Sequence, residues 1–270
     1  MPWRDWLNRM AWARRRQTST GRIVALHELA AGLGQPPSQT LAQEERRTDR
    51  EAALLAAYPT LASWPAELPE MVRCESLARL SLLHDHLPAT AAGSRWLDVG
   101  SKNAAAAFGI ATLAAHRCST PLQLDLVELD AGRRYRGGLR RIDHGVTLAD
   151  AITRWLGGSH KVRYVASDVR ERQGLYDVIT WSLPFLFAEP HQAWGLPLSL
   201  LDPEGLLIAV ANLLAPGGHL LIVNLNQSEA ERQRQLLREM PLDRITESAA
   251  PLYWLHPERQ LPVHVLRRST

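Results

Sequence analysis

The stretch from Arg95 to Ala107 constrains the fold of this chain more than any other; it reads R-W-L-D-V-G-S-K-N-A-A-A-A. A short apolar run ends at Asp98, Gly100 and a small polar turn follow, and an alanine-rich segment then favours a helix. A strand, a tight turn and a helix start in this order are the device with which α/β proteins hold a nucleotide-like ligand. The sequence therefore predicts a ligand site at the end of this strand.

Strand and helix candidates alternate from residue 94 onward. Strands are predicted over 95–99, 123–129, 161–166, 176–181 and 219–224, with two late candidates over 242–246 and 260–267. Helices are predicted over 103–116, 146–156, 198–214 and 228–239. This alternation predicts an α/β fold, a doubly wound and mostly parallel sheet with helices on both faces.

Residues 1–90 contain no convincing strand. Their apolar periodicity predicts helices over 3–16, 19–32, 41–58 and 70–87. We therefore divide the chain into a helical N-terminal extension or cap, residues 1–90, and an α/β domain, residues 91–270.

The first predicted helix carries Trp3, Trp6, Leu7 and Met10 at helical spacing, with arginines between and after them. It lacks the continuous apolar run and cleavage site of a signal peptide. A basic helix of this kind lies on an anionic membrane in some proteins, and packs its tryptophan face on the protein's own core in others. We favour packing, because amphipathic helices most often pack.

Composition excludes several classes of protein. The chain has 270 residues, 46% of them hydrophobic, which is enough for a sizeable core. A net charge of +3 does not require a nucleic-acid partner. No apolar run approaches the roughly 20 residues of a membrane span. The two cysteines, Cys74 and Cys118, have no metal-like spacing and fit reduced thiols in a cytoplasmic protein.

A short segment with at least one polar side chain follows each of the first four predicted strands. Ligands bind outside the carboxyl ends of the strands in such sheets, so these residues are the candidates for a site. They are Asp98, Gly100, Ser101, Lys102 and Asn103 after the first strand, Glu128 and Asp130 at the second, Ser167, Asp168 and Val169 at the third, and Ser182, Pro184 and Phe185 at the fourth.

These motifs give residues 94–267 a resemblance to class I S-adenosylmethionine-dependent methyltransferases. Asp98-Val-Gly100 resembles the start of that family's first motif, and L-A-P-G-G-H-L-L-I from Leu214 resembles its turn before strand five. The late strand pair suits the family's antiparallel seventh strand. The resemblance implies S-adenosylmethionine as cofactor, with Glu128 on the ribose and Asp168 and Val169 at the adenine. It further implies cofactor contacts from Asp98, Gly100, Ser101, Lys102, Asn103 and Ser182.

The loop after Asp98 departs from the family pattern. D-x-G-x-G-x-G is usual there, whereas this chain reads D-V-G-S-K-N-A, with Lys102 and Ala104 in place of glycines. Glycine at such positions permits unusual φ angles and close backbone approach. Lys102 therefore either narrows the room for the ligand or places a cation near the ligand's carboxylate or a substrate group.

The methyl acceptor is less well indicated than the cofactor. Ser182-Leu-Pro-Phe185 resembles the (D/N/S)-P-P-(Y/F) motif of methyltransferases that act on planar amines, although Leu183 breaks it and a β-turn with a buried phenylalanine is the alternative. We assign Pro184 and Phe185 to the substrate side. His144, His191 and Ser182 are weak candidates for the catalytic residue, and the histidines show no metal-ligand spacing.

An arginine-rich segment spans residues 131–145. It contains Arg133, Arg134, Arg136, Arg140 and Arg141. It indicates either a clamp for an anionic substrate, for which we select Arg136 and Arg140, or a solvated charged surface.

The resulting prediction is methyl transfer from S-adenosylmethionine to a small-molecule acceptor at O, N or C. The alternatives are a nucleic-acid methyltransferase and a non-catalytic binding protein with the same fold. In this family, segments before strand one commonly shape the acceptor pocket, so residues 60–90 and 1–34 are expected to line it. The sequence decides neither the acceptor nor the oligomeric state.

Overall fold

A seven-stranded sheet forms the centre of the protein in a computed structural model that describes residues 2–16 and 20–269. The strand order is β3-β2-β1-β4-β5-β7-β6. Neighbouring strands are parallel except for β7, which is antiparallel to both β5 and β6. The predicted doubly wound, mostly parallel seven-stranded sheet with its antiparallel seventh strand is confirmed. The strands are β1 Arg95–Val99, β2 Gln123–Val127, β3 Lys161–Val165, β4 Tyr176–Ser182, β5 Leu214–Val223, β6 Leu242–Leu252 and β7 His256–Arg268.

Helices cover both faces of this sheet. Apolar residues of α2, α3, α4 and α5 join one buried cluster on the first face, and residues of α7 and α8 join a second cluster on the other. The α-helices are α1 Pro2–Arg15, α2 Leu41–Ala57, α3 Glu70–His86, α4 Ala107–Arg117, α5 Arg141–Trp155, α6 Ala188–Ala193, α7 Pro203–Leu213 and α8 Gln227–Leu237. Short 3₁₀ turns span Leu26–Gly32, Pro59–Ser63, Val169–Glu171 and Leu198–Leu200.

Helices α3 and α4 approach each other closely on the first face. A Cβ atom at Gly109 would overlap the carbonyl oxygen of Ser76, so only glycine allows the two backbones to meet there. The hydroxyl of Ser76 donates to the carbonyl of Ala105 at 2.7 Å. The residues that precede β1 are therefore built into the core that supports the turn after Asp98.

The connection from β3 to β4 has a 3₁₀ turn in place of a helix. Its residues cross the second face beside Asp125, a buried carboxylate in the middle of β2. Asp125 pairs with Arg163 at 2.7 Å and Arg172 at 3.0 Å, and accepts from the Tyr176 hydroxyl at 2.8 Å. A polar cluster thus supports this crossing.

The predicted helix over 19–32 is wrong over its first half, and its second half is a 3₁₀ turn and not an α-helix. Residues 20–25 are not helical, and only Leu26–Gly32 forms a 3₁₀ turn. The amides of Arg22 and Val24 donate to side chains of α5, to Asp143 at 3.0 Å and Thr147 at 3.1 Å. Because α5 satisfies these donors, the segment does not need a helical ladder. Residues 1, 17–19 and 270, which fall within predicted ranges, lie outside the described residues.

The favoured packing of the α1 tryptophans is also wrong. Trp3 and Trp6 are each 61% exposed, and Leu7 and Met10 are each 47% exposed. The helix docks instead through Asn8, whose amide nitrogen donates to the carbonyls of Gln192 at 3.1 Å and Leu196 at 3.0 Å. The side of the helix that carries Asn8 is packed against the protein, and its apolar side points outward.

No helix within residues 2–16 and 20–269 is long and apolar enough to cross a bilayer. Within the same residues, no group of three or more His, Cys, Asp or Glu side chains is arranged to hold a metal ion.

Candidate functional site

The turn after β1 keeps the backbone of a glycine-rich loop although it contains one glycine. Gly100 has φ +70°, Lys102 +55° and Ala104 +62°. Left-handed φ angles cost a non-glycine residue about 1–2 kcal/mol, so two positions here carry a conformational penalty. The amides of Gly100 and Ser101 both donate to the carbonyl of Val127 at the end of β2, at 2.9 and 3.0 Å. These bonds anchor the turn across the ends of both strands.

Asp98 lies at the end of β1 and is 5% exposed. Its Oδ1 accepts from the hydroxyl of Thr180 on β4 at 2.6 Å and from Arg79 on α3 at 3.3 Å. The carboxylate therefore joins two neighbouring strands to the helix that precedes β1. Burying a charged group is costly unless it is paired in this way.

Glu128 follows β2 and holds the turn directly. Its Oε2 accepts from the amide of Lys102 at 2.8 Å. Its Oε1 accepts from the amide of Asp130 at 2.8 Å and from Arg141 at 3.0 Å. Burial raises the pKa of Glu128, and Arg141 and the two amides oppose that rise. A carboxylate oxygen accepts about two hydrogen bonds, so Oε2 retains one free acceptor position towards its surroundings.

Asp130 is the centre of a buried ion network beside Glu128. It pairs with Arg15 at 2.9 Å, Arg133 at 3.0 Å and Arg141 at 3.7 Å. The ring of Trp194 lies 5.4 Å from the guanidinium of Arg133 and 5.2 Å from that of Arg141, within the range of cation–π attraction. The network connects α1, the end of β2, the start of α5 and the segment after α6.

The side chain of Lys102 points to α3. Its Nζ lies 3.7 Å from Oε1 of Glu75, and the lysine side chain is 44% exposed. The neighbouring Asn103 is fully buried, and both of its amide atoms lack a hydrogen-bond partner among the described residues. A Cβ atom at Gly100 would meet nothing within 4 Å. The turn thus offers open space above Gly100.

Asp168 and Val169 occupy the turn after β3. Asp168 accepts from the amide of Arg170 at 2.9 Å and pairs with its guanidinium at 2.6 Å. Burial raises the pKa of Asp168, but the hydrogen bonds from Arg170 outweigh burial and lower it. The side chain of Val169 belongs to the buried cluster of the second face. None of the described hydrogen bonds or ion pairs joins Asp168 to the turn at Gly100, and its adenine role stays a prediction.

The segment after β4 contains another left-handed residue that is not glycine, after Lys102 and Ala104. Leu183 has φ +55°, is 45% exposed, and donates its amide to Val223 at 2.7 Å. The hydroxyl of Ser182 is buried without a partner in the described chain. Pro184 is buried, and the ring of Phe185 lies 5.4 Å from His191 and 5.8 Å from Trp194. Phe185 is half-buried and packs within this segment, and no observation assigns it to an acceptor.

The two candidate histidines are both buried. His191 shares a hydrogen bond of 2.9 Å with the carbonyl of Pro197, which holds the chain after α6. His144 lies against the ring of Tyr135 with centroids 4.9 Å apart, and it is fully buried. Burial lowers the pKa of His144 to about 4, so the ring is neutral at pH 7. Neither imidazole is exposed for contact with an acceptor in this conformation.

The arginine-rich segment folds back on itself. Arg140 caps α5 and grips Asp143 at 2.8 Å, and it also donates to the carbonyl of Thr20 at 3.1 Å. Arg134 donates to the carbonyl of Gly138 at 3.0 Å. Arg136 is exposed and forms no described ion pair. The predicted anion clamp from Arg136 and Arg140 has no convergent geometry here and stays untested.

Four residues that contact the candidate site were not predicted from the sequence: Arg79, Thr180, Arg15 and Trp194. Each lies on a different element from the residue it supports, at a separation set by the tertiary fold. Their residue types carry no motif, so no local pattern marks them. The sequence did single out Asp98, Gly100, Lys102 and Glu128, and hydrogen bonds bring these together at the ends of β1 and β2.

Comparison with known proteins gives structural likeness alone. No family model and no curated protein sequence matches the chain. The N-methyltransferase NodS from Bradyrhizobium japonicum WM9 is 18% identical, over 73% of this chain and 86% of NodS, with a TM-score of 0.43. Magnesium protoporphyrin IX methyltransferase from Synechocystis PCC 6803 is 8% identical, over 86% of this chain and 100% of that one, with a TM-score of 0.47. TrmN from Thermus thermophilus is 17% identical, over 72% of this chain and 48% of TrmN, with a TM-score of 0.47. At these identities the likeness concerns the fold alone, a seven-stranded sheet with the strand order β3-β2-β1-β4-β5-β7-β6.

Proposed function

We propose that this protein transfers a methyl group from S-adenosylmethionine to a small-molecule acceptor. The observation that carries the proposal is the turn at Gly100, which adopts left-handed φ angles at residues 100, 102 and 104 although two of these are not glycines. Strain of this kind persists where a site needs it. The turn lies between Asp98 and Glu128, at the sheet edge where α/β proteins bind ligands.

The residues of this edge fit the cofactor. The space above Gly100 admits close approach of a ligand to the backbone. The buried amide of Asn103 and the buried hydroxyl of Ser182 offer unpartnered hydrogen-bonding atoms. Glu128 has one free acceptor position for a ribose hydroxyl. We assign the cofactor to these residues, with Asp168 and Val169 at its adenine end.

The cofactor supplies an activated methyl group on a sulfonium, so the protein contributes mainly positioning and exclusion of water. An acceptor that loses a proton would also need a base. Ser182, His144 and His191 stay candidates for that role, with Pro184, Phe185, Arg136 and Arg140 as predicted substrate contacts.

A small acceptor suits the charges of the site better than a nucleic acid does. Nucleic-acid binding uses arginines that are free to meet phosphates. Here Arg133, Arg134, Arg140 and Arg141 are each held by a partner within the chain. The two unpaired cysteines agree with the proposed cytoplasmic location.

A second candidate function is ligand binding without catalysis. The observation that favours it is the contact of Arg141 with Glu128, which already uses one oxygen of the carboxylate that a ribose would need. This protein would then keep the fold and bind another ligand at the same edge.

Calorimetric titration with S-adenosylmethionine and its demethylated product tests the proposal, with Gly100→Ala as the critical variant. Gly157→Ala is the matched control, because Gly157 has φ +79°, open space around a Cβ and a position after α5. Both substitutions impose the same left-handed strain, but only Gly100→Ala places a methyl group where the cofactor is proposed to bind.

We expect the wild type and Gly157→Ala to bind both compounds, and Gly100→Ala to bind at least about tenfold more weakly, which corresponds to 1.4 kcal/mol. Equal affinities of Gly100→Ala and Gly157→Ala would show that the cofactor does not bind at this turn. Absence of binding in the wild type at millimolar ligand would reject the methyltransferase and favour the binding protein.

A further inference from the structure

The outward face of α1 is apolar and uncovered. Trp3, Trp6, Leu7 and Met10 point to solvent, and each is between 47% and 61% exposed. At the angular spacing of an α-helix they fall within one stripe roughly 100° wide. An exposed apolar stripe of this length, with two tryptophans, indicates an interaction surface for a protein, a membrane or a ligand.

The opposite face of α1 is already fixed to the protein. Asn8 and Arg15 donate to carbonyls of α6 and of the segment after it, including Gly195 at 2.8 Å, and Arg15 also pairs with Asp130. Asp5 accepts from the amide of Leu198 at 2.6 Å. The helix is therefore docked, and turning its stripe inward would break all of these contacts. The stripe therefore cannot pack into the protein's own core while these contacts are kept.

Positive charge borders the stripe. Arg4, Arg9, Arg14 and Arg16 are exposed, whereas Asp5 is the one acidic residue among residues 2–16. Of these four arginines, Arg9 pairs with Asp5 at 2.8 Å, and the other three form no ion pair within the described chain. Arginine stems lie along apolar surface while the guanidinium groups reach outward to anionic partners.

We propose that α1 docks this protein on an anionic lipid bilayer. Tryptophan prefers the boundary between headgroups and acyl chains, and arginines beside it meet lipid phosphates. The outward apolar stripe, its arginine borders and the docked inner face together describe a helix that lies in the plane of a membrane surface. This docking holds whether or not the protein transfers methyl groups.

Sedimentation with vesicles tests the proposal. The full chain is mixed with vesicles of phosphatidylcholine alone or of phosphatidylcholine with phosphatidylglycerol, at low and high salt. Two variants remove the stripe and the charge separately. The tryptophan variant combines Trp3→Ala with Trp6→Ala, and the arginine variant changes Arg4, Arg14 and Arg16 to Gln. Because all five side chains are exposed, neither variant should unfold, and circular dichroism checks this.

Matched controls place the same changes elsewhere on the surface. Leu41→Ala removes an apolar side chain that is 73% exposed on α2. Changing Arg46, Arg232 and Arg238 to Gln removes three exposed arginines from α2 and the region of α8. These controls separate a local effect of α1 from loss of net charge.

We expect the wild type and both controls to bind the anionic vesicles, with binding that weakens at high salt. The tryptophan variant should bind at least about tenfold more weakly. The arginine variant should bind on the order of 100-fold more weakly, since each cation near an anionic surface contributes about fivefold.

Three results would overturn the proposal. One is sedimentation of the wild type with neither kind of vesicle. Another is equal binding by the tryptophan variant and the wild type. The third is a wild-type dimer that becomes a monomer in the tryptophan variant without any vesicle binding, because a second copy would then cover the stripe. Tight binding of polyuridylate that depends on the three arginines but not on the tryptophans, with no vesicle binding, would likewise assign the surface to RNA.

Discussion

The contact between Glu128 and Arg141 permits a quantitative test of how the site is held together. Both side chains are more than 90% buried, and Arg141 Nη1 lies 3.0 Å from Glu128 Oε1. We consider Arg141→Met, which keeps the length of the side chain and removes its charge, Glu128→Gln, which keeps the shape of the carboxylate, and the double variant.

The expected magnitude follows from the geometry. With charge centres about 4 Å apart and an effective dielectric constant near 20, the attraction is about 4 kcal/mol. Asp130, 3.7 Å from the same guanidinium, would also lose a partner in Arg141→Met. Removal of one partner of a buried pair typically costs about 3–5 kcal/mol. Glu128 keeps the amides of Lys102 and Asp130 as donors, so we expect about 3 kcal/mol for Arg141→Met.

The double variant should be more stable than the sum of the single changes predicts. We expect a coupling energy of about 2 kcal/mol in the double-mutant cycle, because the second change removes a charge that the first left unpaired. Urea unfolding followed by far-UV circular dichroism measures it, provided that the four proteins share one m value. Additivity within about 0.5 kcal/mol would show that the two charges do not stabilise each other.

The pH dependence of the free energy of unfolding provides a second test of the same contact. Burial raises the pKa of Glu128, and loss of Arg141 removes the cation that opposes this rise. A carboxyl whose pKa is raised in the folded state contributes stability below its ordinary pKa, and that stability is lost as the pH increases. Arg141→Met should therefore be more strongly destabilised at pH 7 than at pH 5. The double variant, which lacks this carboxyl, should show a smaller difference.

Three further outcomes follow from the backbone and the core, each measured by thermal or urea unfolding. Lys102→Gly should stabilise the protein by up to about 1 kcal/mol by relieving a left-handed φ angle, whereas Ala104→Gly should be nearly neutral because it also loses a buried methyl group worth about 0.8 kcal/mol. His144, whose pKa burial lowers to about 4, contributes stability above pH 6.5 that is lost towards pH 4; His144→Asn should flatten that part of the stability curve, and an unchanged curve would mean that the imidazole is hydrated. Gly109→Ala should cost about 3 kcal/mol, because its methyl group meets the backbone of Ser76; a cost below about 1 kcal/mol would mean that the two helices shift apart easily.

Local chemistry in the sequence was enough to place the turn at Gly100 and most elements around it. The strand Arg95–Val99 and the helix over 41–58 were predicted to within a residue, because a short apolar run marks the strand and Pro59 ends the helix. The sequence of the turn departs from the family's glycine pattern at Lys102 and Ala104, but its backbone conformation does not need glycine there. Those residues adopt the conformation that glycine would, at a cost that hydrogen bonds from neighbouring strands offset.

Partners that depend on tertiary contact were beyond a sequence argument. The sequence pattern of residues 20–25 predicts a helix. In the structure, side chains of α5 accept hydrogen bonds from the amides of Arg22 and Val24, and the segment is not helical. The sequence predicted that Arg140 binds an anionic substrate. In the structure, its guanidinium pairs with Asp143, three residues later. In both cases a polar group pairs with a partner that the local pattern does not specify, because buried polar groups are nearly always hydrogen-bonded.

Arg15 links the proposed membrane surface to the proposed cofactor site. It lies near the end of α1 and pairs with Asp130, which shares Arg141 with Glu128. If docking on lipid biases the position of α1, it also biases this network, and linkage requires the effect to be reciprocal. A ligand held by Glu128 should then change vesicle affinity by the same factor by which vesicles change ligand affinity. Sedimentation with and without the demethylated cofactor measures the first factor, and titration with and without vesicles measures the second. Arg15→Gln should bring both factors to one while each ligand still binds alone; persistence of the coupling in that variant would show that it travels by another route.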